Sequence, residues 1–446
     1  MLKRVLAAFS KRLKNLGMAE MRVTQSEVIT EKRPLEDSGE SEAVTKKAKS
    51  EVPALGQGRP NKKHKVALLL AYCGAGYYGI QFQKGNEFKT IESELMRALV
   101  QAGAIPQEHA DTPQQMCFQR AARTDKNVSA IGNVVSLKMI VTENCIEKIN
   151  SHLPPEIQVI ACRRTTRGFD SKNYCSARTY KYMLPTYSFA PIEKFITKDY
   201  RITGDILLHV REILAMYKGT HNFHNFTSGK KPNDPSSKRY IIMFECGEPF
   251  VRDGVEFVVL TVKGQSFMLH HIRKMIGLMI AIVRGCCGVD VLEKSWAPYR
   301  IDIPKAPGLG LFLDKLFFDG YNKKFGKDGI HEPMEWDEYQ EALEKFKEER
   351  VLSHISKAEK DQGVMMQWLA TLQYHKFDII DPKMGAPLEG EKDPNWWRTR
   401  RLLEEMDKAR ANSPSDTKAA QEKEVEENQD QMEDKTMNDD NKQCTE

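Results

Sequence analysis

Twice along this chain a short β-forming run leads into a helical stretch and then into further strands, and this repeated alternation narrows the possible folds more than any other feature. In the first round, residues 66–72 are continuously apolar and bounded on one side by glycines, the mark of a strand buried on both faces. Thr90 can cap a helix in which Ile91, Leu95, Ala98 and Leu99 share one face. A strand at 134–140, a helix at 143–152 ended by Pro154-Pro155, and a strand at 157–162 follow. The second round has a strand at 178–184, a helix at 205–217 and a Lys-, Pro- and Ser-rich loop at 229–237. Strands at 240–246 and 256–262 are joined by a turn at Asp253-Gly254, and a helix apolar on most faces spans 267–283. Such alternation implies an α/β or α+β domain with helices packed on one large sheet. No residue identity proves that the two rounds are a repeat.

The flanks differ in composition. Residues 1–17 carry five bases and no acid, with Leu2, Val5, Leu6, Phe9, Leu13 and Leu16 at helical spacing, which reads as a mitochondrial transit peptide. Met18 or Met21 would start a shorter form. Residues 22–62 are polar and read as disordered, with Lys32-Arg33, Lys46-Lys47 and Lys62-Lys63 suited to nuclear import or RNA contact. Residues 331–410 are charged, Trp-bearing and helical in pattern. Residues 411–446 hold eleven acids and four bases, a net of −7, so the rest of a chain of net charge +5 carries +12. A basic body with an acidic tail fits an anionic partner. The expected division is therefore 1–62 disordered, 63–330 core in halves near 63–170 and 171–330, 331–410 helical extension, and 411–446 acidic tail.

Several chemistries lack their signatures. The nine cysteines contain no Cys-x-x-Cys, so neither a zinc site nor a disulfide framework is apparent, and a reducing compartment is expected. His221 and His224, and the adjacent His270 and His271, have no carboxylate or cysteine at ligand spacing and read as structural or RNA-contacting. No Gly-x-Gly-x-x-Gly strand–turn–helix unit for a dinucleotide-type cofactor is read: Gly74, Gly76 and Gly79 have the spacing, but the next helix is capped only at Thr90. The apolar run 275–283 is too short to span a bilayer, and no membrane role is expected.

One acid stands among basic and small residues in Arg120-Ala121-Ala122-Arg123-Thr124-Asp125-Lys126-Asn127. Arg120, Arg123 and Lys126 are expected to surround the Asp125 carboxylate, to keep it ionised, and to attract phosphate. The stretch Arg123-Thr124-Asp125 resembles the reactive loop of the TruA family of pseudouridine synthases. Further matches follow the family's order over about residues 66–320. They are Tyr72-Cys73-Gly74 with Gly76-Tyr77-Tyr78-Gly79, Phe169-Asp170-Ser171-Lys172, Arg178-Thr179-Tyr180-Lys181-Tyr182 and Gly219-Thr220-His221-Asn222-Phe223. Gly264-Gln265-Ser266-Phe267 through Arg273 and Gly277, and Ala306-Pro307-Gly308-Leu309-Gly310-Leu311, complete the set. The details are most similar to a eukaryotic branch of that family.

The resemblance implies an α+β pseudouridine synthase fold: a large mixed, mainly antiparallel sheet with flanking helices, two ferredoxin-like halves and a C-terminal helical extension. It implies isomerisation of uridine to pseudouridine in tRNA, with mRNA and small nuclear RNA as further candidates and no cofactor or metal. It gives Asp125 the catalytic role. Arg123 would fill the space left by the flipped nucleotide, Tyr180 would stack on the uracil, Arg273 would pair with Asp125, and Lys126 and Arg178 would bind substrate. The chain departs from the family pattern at Asn127, where Gly is usual, and at Phe82, where a basic residue is usual. Asn tolerates positive φ, so the turn survives. The nucleus and the mitochondrion are the expected locations, and a monomer is favoured. The alternatives are an RNA-binding protein that keeps the fold without turnover, and a different RNA-modifying enzyme.

Overall fold

Every side chain from Val66 to Tyr72 is at most 1% exposed, so strand β1 (Lys63–Tyr72) is covered on both faces. Burial of each large apolar side chain there contributes ~1.5–3 kcal/mol, which makes β1 the natural centre of the first half. The structure, a computed structural model, describes residues 62–83, 88–194 and 196–380. The readings of residues 1–61, of Trp396 and Trp397, and of the acidic tail lie outside the described residues.

After β1 come α1 (Ile91–Gln101), the two-residue strand Gln119–Arg120, β2 (Ser129–Ile140), α2 (Cys145–His152) and β3 (Ile157–Arg164). Thr90 Oγ1 accepts a hydrogen bond from Ser93 N, and Thr90 N in turn donates to Ser93 Oγ at 3.1 Å, so α1 begins in a reciprocal cap. Strand β1 pairs antiparallel with β2 on one side and β3 on the other. The short strand pairs with β2. Asn150 of α2 exchanges two hydrogen bonds of 2.8 Å with Val159 in β3, satisfying backbone at the sheet's edge.

The second half runs β4 (Ala177–Pro185), α3 (Gly204–Met216), β5 (Gly219–Asn222), β6 (Lys238–Cys246), β7 (Val255–Gly264), α4 (His271–Arg284), α5 (Asp290–Trp296) and β8 (Leu311–Phe317). The sheet order is β3-β1-β2-β8-β4-β7-β6-β5, and Phe250–Arg252 adds to β7. With the outermost strand β5 set aside as an addition to the second half, each half is a βαββαβ unit whose strands lie in the order fourth, first, third, second, which is the ferredoxin-like arrangement. The repeat that residue identity leaves unproven is plain in this topology. Every pairing among the described strands is antiparallel except β2 with β8, where the halves meet: Phe312 is level with Ser129, and Leu313 with Ala130.

Helix α4 begins at His271 rather than at 267, because His270 takes a left-handed conformation (φ 60°) that breaks the helical run. Among the elements the sequence reading missed, strand β8 matters most, since it lies at the centre of the sheet. Only its first residue figured in that reading, as the end of a turn, since Asp314-Lys315 interrupts the apolar pattern. In the fold these two charges are matched, Asp314 with Lys181 at 3.0 Å and Lys315 with Asp337 at 3.1 Å.

Beyond β8 lie α6 (Asp319–Phe325), α7 (Gln340–Phe346), a π-helical stretch Lys347–Leu352, α8 (Ser353–Gln362) and α9 (Val364–Thr371). The extension is riveted to β3 by Arg163, which ion-pairs with Glu332 and Glu338 and lies over the buried Trp336 ring at 4.5 Å. Trp336 therefore serves packing. Ile379–Ile380 pair with Arg300–Ile301, and His375 meets Asp302 at 2.6 Å, so the end of the described chain fastens the segment after α5.

Candidate active site

Parallel pairing of β2 and β8 brings the turns that enter these two strands side by side. The turn before β2 carries Asp125, and the turn before β8 is Ala306–Gly310. A Cβ on Gly308 would sit 3.1 Å from the Lys126 carbonyl oxygen, tight enough that the two turns would have to give by a few tenths of an ångström.

The Asp125 loop is held by its backbone on every side. Ala121 N donates to Val134 O, Ile80 N to Thr124 O, Asn127 N to Tyr77 O, and Val128 N to Asp125 O. The glycines after β1 permit this contact. A Cβ on Gly74 would lie 2.2 Å from Val128 O, and one on Gly79 would lie 2.5 Å from Thr124 O. Beneath the loop, the buried Tyr72 hydroxyl meets Thr124 Oγ1 at 2.9 Å. Asn133 Nδ2 donates to the same hydroxyl and to Ala122 O. Burial pushes Tyr72 far above the usual phenol range, so it stays protonated. Asn127 has φ 62°, and its Oδ1 accepts from Gly76 N at 3.2 Å, so Asn does supply the left-handed turn.

Arg273, two residues into α4, places Nη1 3.6 Å from Asp125 Oδ2. Its Nε donates to Ala306 O at 2.7 Å, and its own carbonyl accepts from Ala306 N at 3.1 Å. Gly277 lets this segment lie directly on α4, since a Cβ there would be 2.0 Å from Pro304 O. The guanidinium thus bridges the two turns. At 3.6 Å it stabilises the carboxylate's charge without a short hydrogen bond, which leaves the oxygens open to a reacting group. The Asp125 side chain is 21% exposed, half-closed and reachable from outside.

Tyr180 stands in β4 opposite Leu313 and Val262, buried, its ring edge-on to Phe267 at 5.4 Å. Burial raises its hydroxyl far above the usual range, and the nearby Asp125 charge raises it further. Lys126 is exposed, with Nζ 4.2 Å from the Tyr78 ring centre, and Arg123 is exposed on the same loop. Arg178 directs Nε and Nη2 to Ala121 O and Nη1 to Gln265 O, so these donors brace the reactive loop from β4.

Arg120 corrects one expectation. It does not face Asp125 but grips the buried Glu92 of α1, with Nη2 to Oε2 at 3.2 Å. Burial raises the Glu92 carboxyl, and the Arg120 and Arg123 charges and a bond from Phe82 N oppose that rise. Helix α1 and the loop approach are thereby joined by charge. Phe82 itself is 57% exposed.

His270 was read as structural or RNA-contacting, and the fold sets its Nε2 3.9 Å from Asp125 Oδ2. Only the left-handed turn aims it there, and sequence carries no clear sign of that turn. Burial pushes His270 down to about 4, against the opposing pull of Asp125, so the ring is neutral near pH 7. Lys274 was also missed. Its Nζ meets Asn225 O at 3.2 Å, and burial lowers it to about 8. Two of the other histidines sit in packing roles: His221 stacks on Trp296 at 3.9 Å, and His271 lies against Phe223 at 4.4 Å. Among the described residues no cluster of three metal-ligating side chains occurs. No described helix is long and apolar enough to cross a membrane.

A family model described as tRNA pseudouridine synthase matches residues 213–319, from α3 to α6. The chain is 50% identical over 335 residues to a protein of Mus musculus named pseudouridylate synthase 1 homolog, covering 75% of this chain and 79% of the relative. The Homo sapiens protein of the same name is also 50% identical, over 73% of this chain and 79% of its own length. A protein of Yarrowia lipolytica named tRNA pseudouridine synthase 1 is 36% identical over 74% of this chain and 78% of its own.

The neutral His270 generates a pH prediction. Its value falls from 6.5 when free to about 4 in the fold. Between these limits the unfolded chain binds a proton that the folded ring refuses, so stability falls as pH drops through this window. His270→Asn removes the titration and keeps a residue that tolerates left-handed backbone. Melting temperature plotted against pH should fall less steeply between 6.5 and 4 in the variant. An unaltered slope would mean that the folded His270 titrates normally.

Proposed function

As the chain belongs to the tRNA pseudouridine synthase family, we propose that it isomerises uridine to pseudouridine in tRNA with Asp125 as the reacting group. The observation that carries this reading is the half-buried Asp125 carboxylate at the junction of the two halves, with Arg273 at 3.6 Å and a neutral His270 at 3.9 Å. In the reaction the N1–C1′ bond breaks, the uracil turns, a C5–C1′ bond forms, the C5 proton leaves and N1 gains one. Nothing is oxidised or released. The step needs one group that attacks or deprotonates the nucleotide and is then regenerated, and an ionised carboxylate can do either.

The protein's residues divide the work as follows. The target uridine leaves its helix to reach Asp125. Arg123, exposed on the same loop, occupies the vacated space, and Lys126 holds phosphate. Tyr180, buried beside Phe267 and within the field of Asp125, meets the base with a protonated hydroxyl. Arg273 holds the carboxylate in place and offsets its charge. Arg178 reaches RNA through the guanidinium hydrogens not spent on Ala121 and Gln265. Binding through phosphate is indifferent to RNA class, so mRNA and small nuclear RNA are proposed as further substrates. The second reading, an RNA-binding protein without turnover, rests on the same basic body.

Asp125→Asn keeps the size of the side chain and removes its charge. Pseudouridine formation at saturating tRNA should fall by orders of magnitude, with RNA affinity retained and folding weakened by about 1–3 kcal/mol from the altered Arg273 contact. Lys126→Ala should weaken binding and regain activity at high RNA. Wild-type turnover by Asp125→Asn would leave only the RNA-binding reading.

We also propose two destinations: mitochondria for the long form, directed by residues 1–17, and the nucleus for a form starting at Met18 or Met21. Fluorescent fusions of the two forms should separate. Identical distributions would remove the proposal.

A further inference from the structure

Glu359 is a carboxylate without a place in the chemistry described so far, and it is 3% exposed. It lies in α8, six residues before Met365 in α9. Met365 N donates to its Oε1 at 3.1 Å and its Oε2 at 2.9 Å, so Glu359 closes the start of α9 across the left-handed Gly363. The Tyr187 hydroxyl donates to Oε1 from the other side. Tyr187 is itself buried, two residues beyond the end of β4. Burial raises the Glu359 carboxyl, and the bonds from Tyr187 and the α9 backbone oppose that rise.

A buried carboxylate is a demanding way to cap a helix, since Ser or Asn would do so without a charge. What Glu359 adds is reach: it ties the α8–α9 corner to the strand that carries Tyr180 and Tyr182. The corner so fastened faces the turn before β8. Tyr182, Met183, Pro307, Leu309, Ile355 and Met365 line one small cavity between the extension and the core. The Tyr182 hydroxyl donates to Pro307 O at 2.7 Å. On its other side the same turn receives Arg273 Nε at Ala306 O, and its Gly308 abuts Lys126 O. The line from Glu359 therefore runs by Tyr187 back along the chain to Tyr182, by the Tyr182 hydroxyl to the turn, and from the turn to Arg273 and the Asp125 loop.

We infer that Glu359 is a positioning residue for the reaction: it presses the helical extension onto the Pro307–Gly310 turn and so sets the spacing of Arg273 and Asp125. The inference rests on the proposed role of Asp125. It makes the extension part of the active site's back wall, without any contact to RNA from Glu359 itself.

The test measures single-turnover pseudouridine formation and affinity with an unmodified tRNA transcript, using the full chain. Glu359→Ala should slow the reaction about tenfold to a hundredfold, the scale of a small misplacement of a reacting group, while affinity changes by no more than about twofold. Glu359→Gln keeps an acceptor for Met365 N and a donor for Tyr187, and should restore most of the rate. Leu343→Ala, in α7 away from the turn, supplies a control of lowered melting temperature and should react at the wild-type rate. In an Arg273→Ala background, Glu359→Ala should add little further loss, because both act on the same contact.

A rate for Glu359→Ala no lower than that of Leu343→Ala, or losses that multiply with Arg273→Ala, would overturn the inference. Should Glu359→Ala not fold, Tyr187→Phe removes only the hydroxyl. Its slowing should likewise vanish in the Arg273→Ala background, and no slowing or a multiplied loss would again overturn the inference. The two levels separate cleanly. Wild-type turnover by Asp125→Asn sinks the catalytic reading, whereas an inactive Asp125→Asn beside multiplying Glu359 losses sinks this inference alone.

Discussion

Two strands that start side by side and run in the same direction put Asp125 where it is. Elsewhere in the sheet neighbouring strands are antiparallel, and the turn entering one strand lies beside the end of its neighbour. At the β2–β8 junction the two entering turns lie beside each other instead. One supplies the carboxylate and the other supplies carbonyl oxygens. Arg273 reaches both, with 3.6 Å to Asp125 and 2.7 Å to Ala306 O. The two ferredoxin-like halves are thus more than duplicated scaffolding. Their seam is the only parallel pairing among the described strands, and the reacting group stands on it.

Close approach at the seam depends on what is missing from side chains as much as on what is present. Gly74 and Gly79 let the segment after β1 lie on the Asp125 loop, and Gly277 lets residues 304–306 lie on α4. Charge is then managed by distance and burial. Arg120 is turned away to the buried Glu92, Arg178 is spent largely on the loop's backbone, and His270 is kept neutral by burial. Beside the Asp125 oxygens the Arg273 guanidinium stands at 3.6 Å, a separation that steadies the anion without claiming it.

Much of this was legible in the residues, and the limits are physical. Periodicity located β1, α1, β2, α2, β3, β4, α3, β6 and β7, because each has the apolar spacing of an element with a buried face. It missed β8, whose Asp314-Lys315 pair mimics a surface turn until Lys181 and Asp337 are seen opposite. It began α4 too early, since a left-handed His270 leaves no mark in composition. Resemblance singled out Asp125 and Arg273, which the fold places 3.6 Å apart. Proximity in sequence misjudged Arg120, because its charge is taken by the buried Glu92, 28 residues away in α1. Neither periodicity nor resemblance exposed His270, Lys274 or Glu359, since each gains its meaning from segments distant in the chain.

The central claim is that Asp125 meets the target nucleotide directly at this seam. A crystal structure of the Asp125→Asn protein bound to an unmodified tRNA tests it most directly. The account predicts a target uridine swung out of its helix, with a sugar or base atom about 3–3.5 Å from the residue 125 side chain, and Arg273 beside it. A target uridine still stacked in its helix, or extruded into a pocket away from residue 125, would contradict the account.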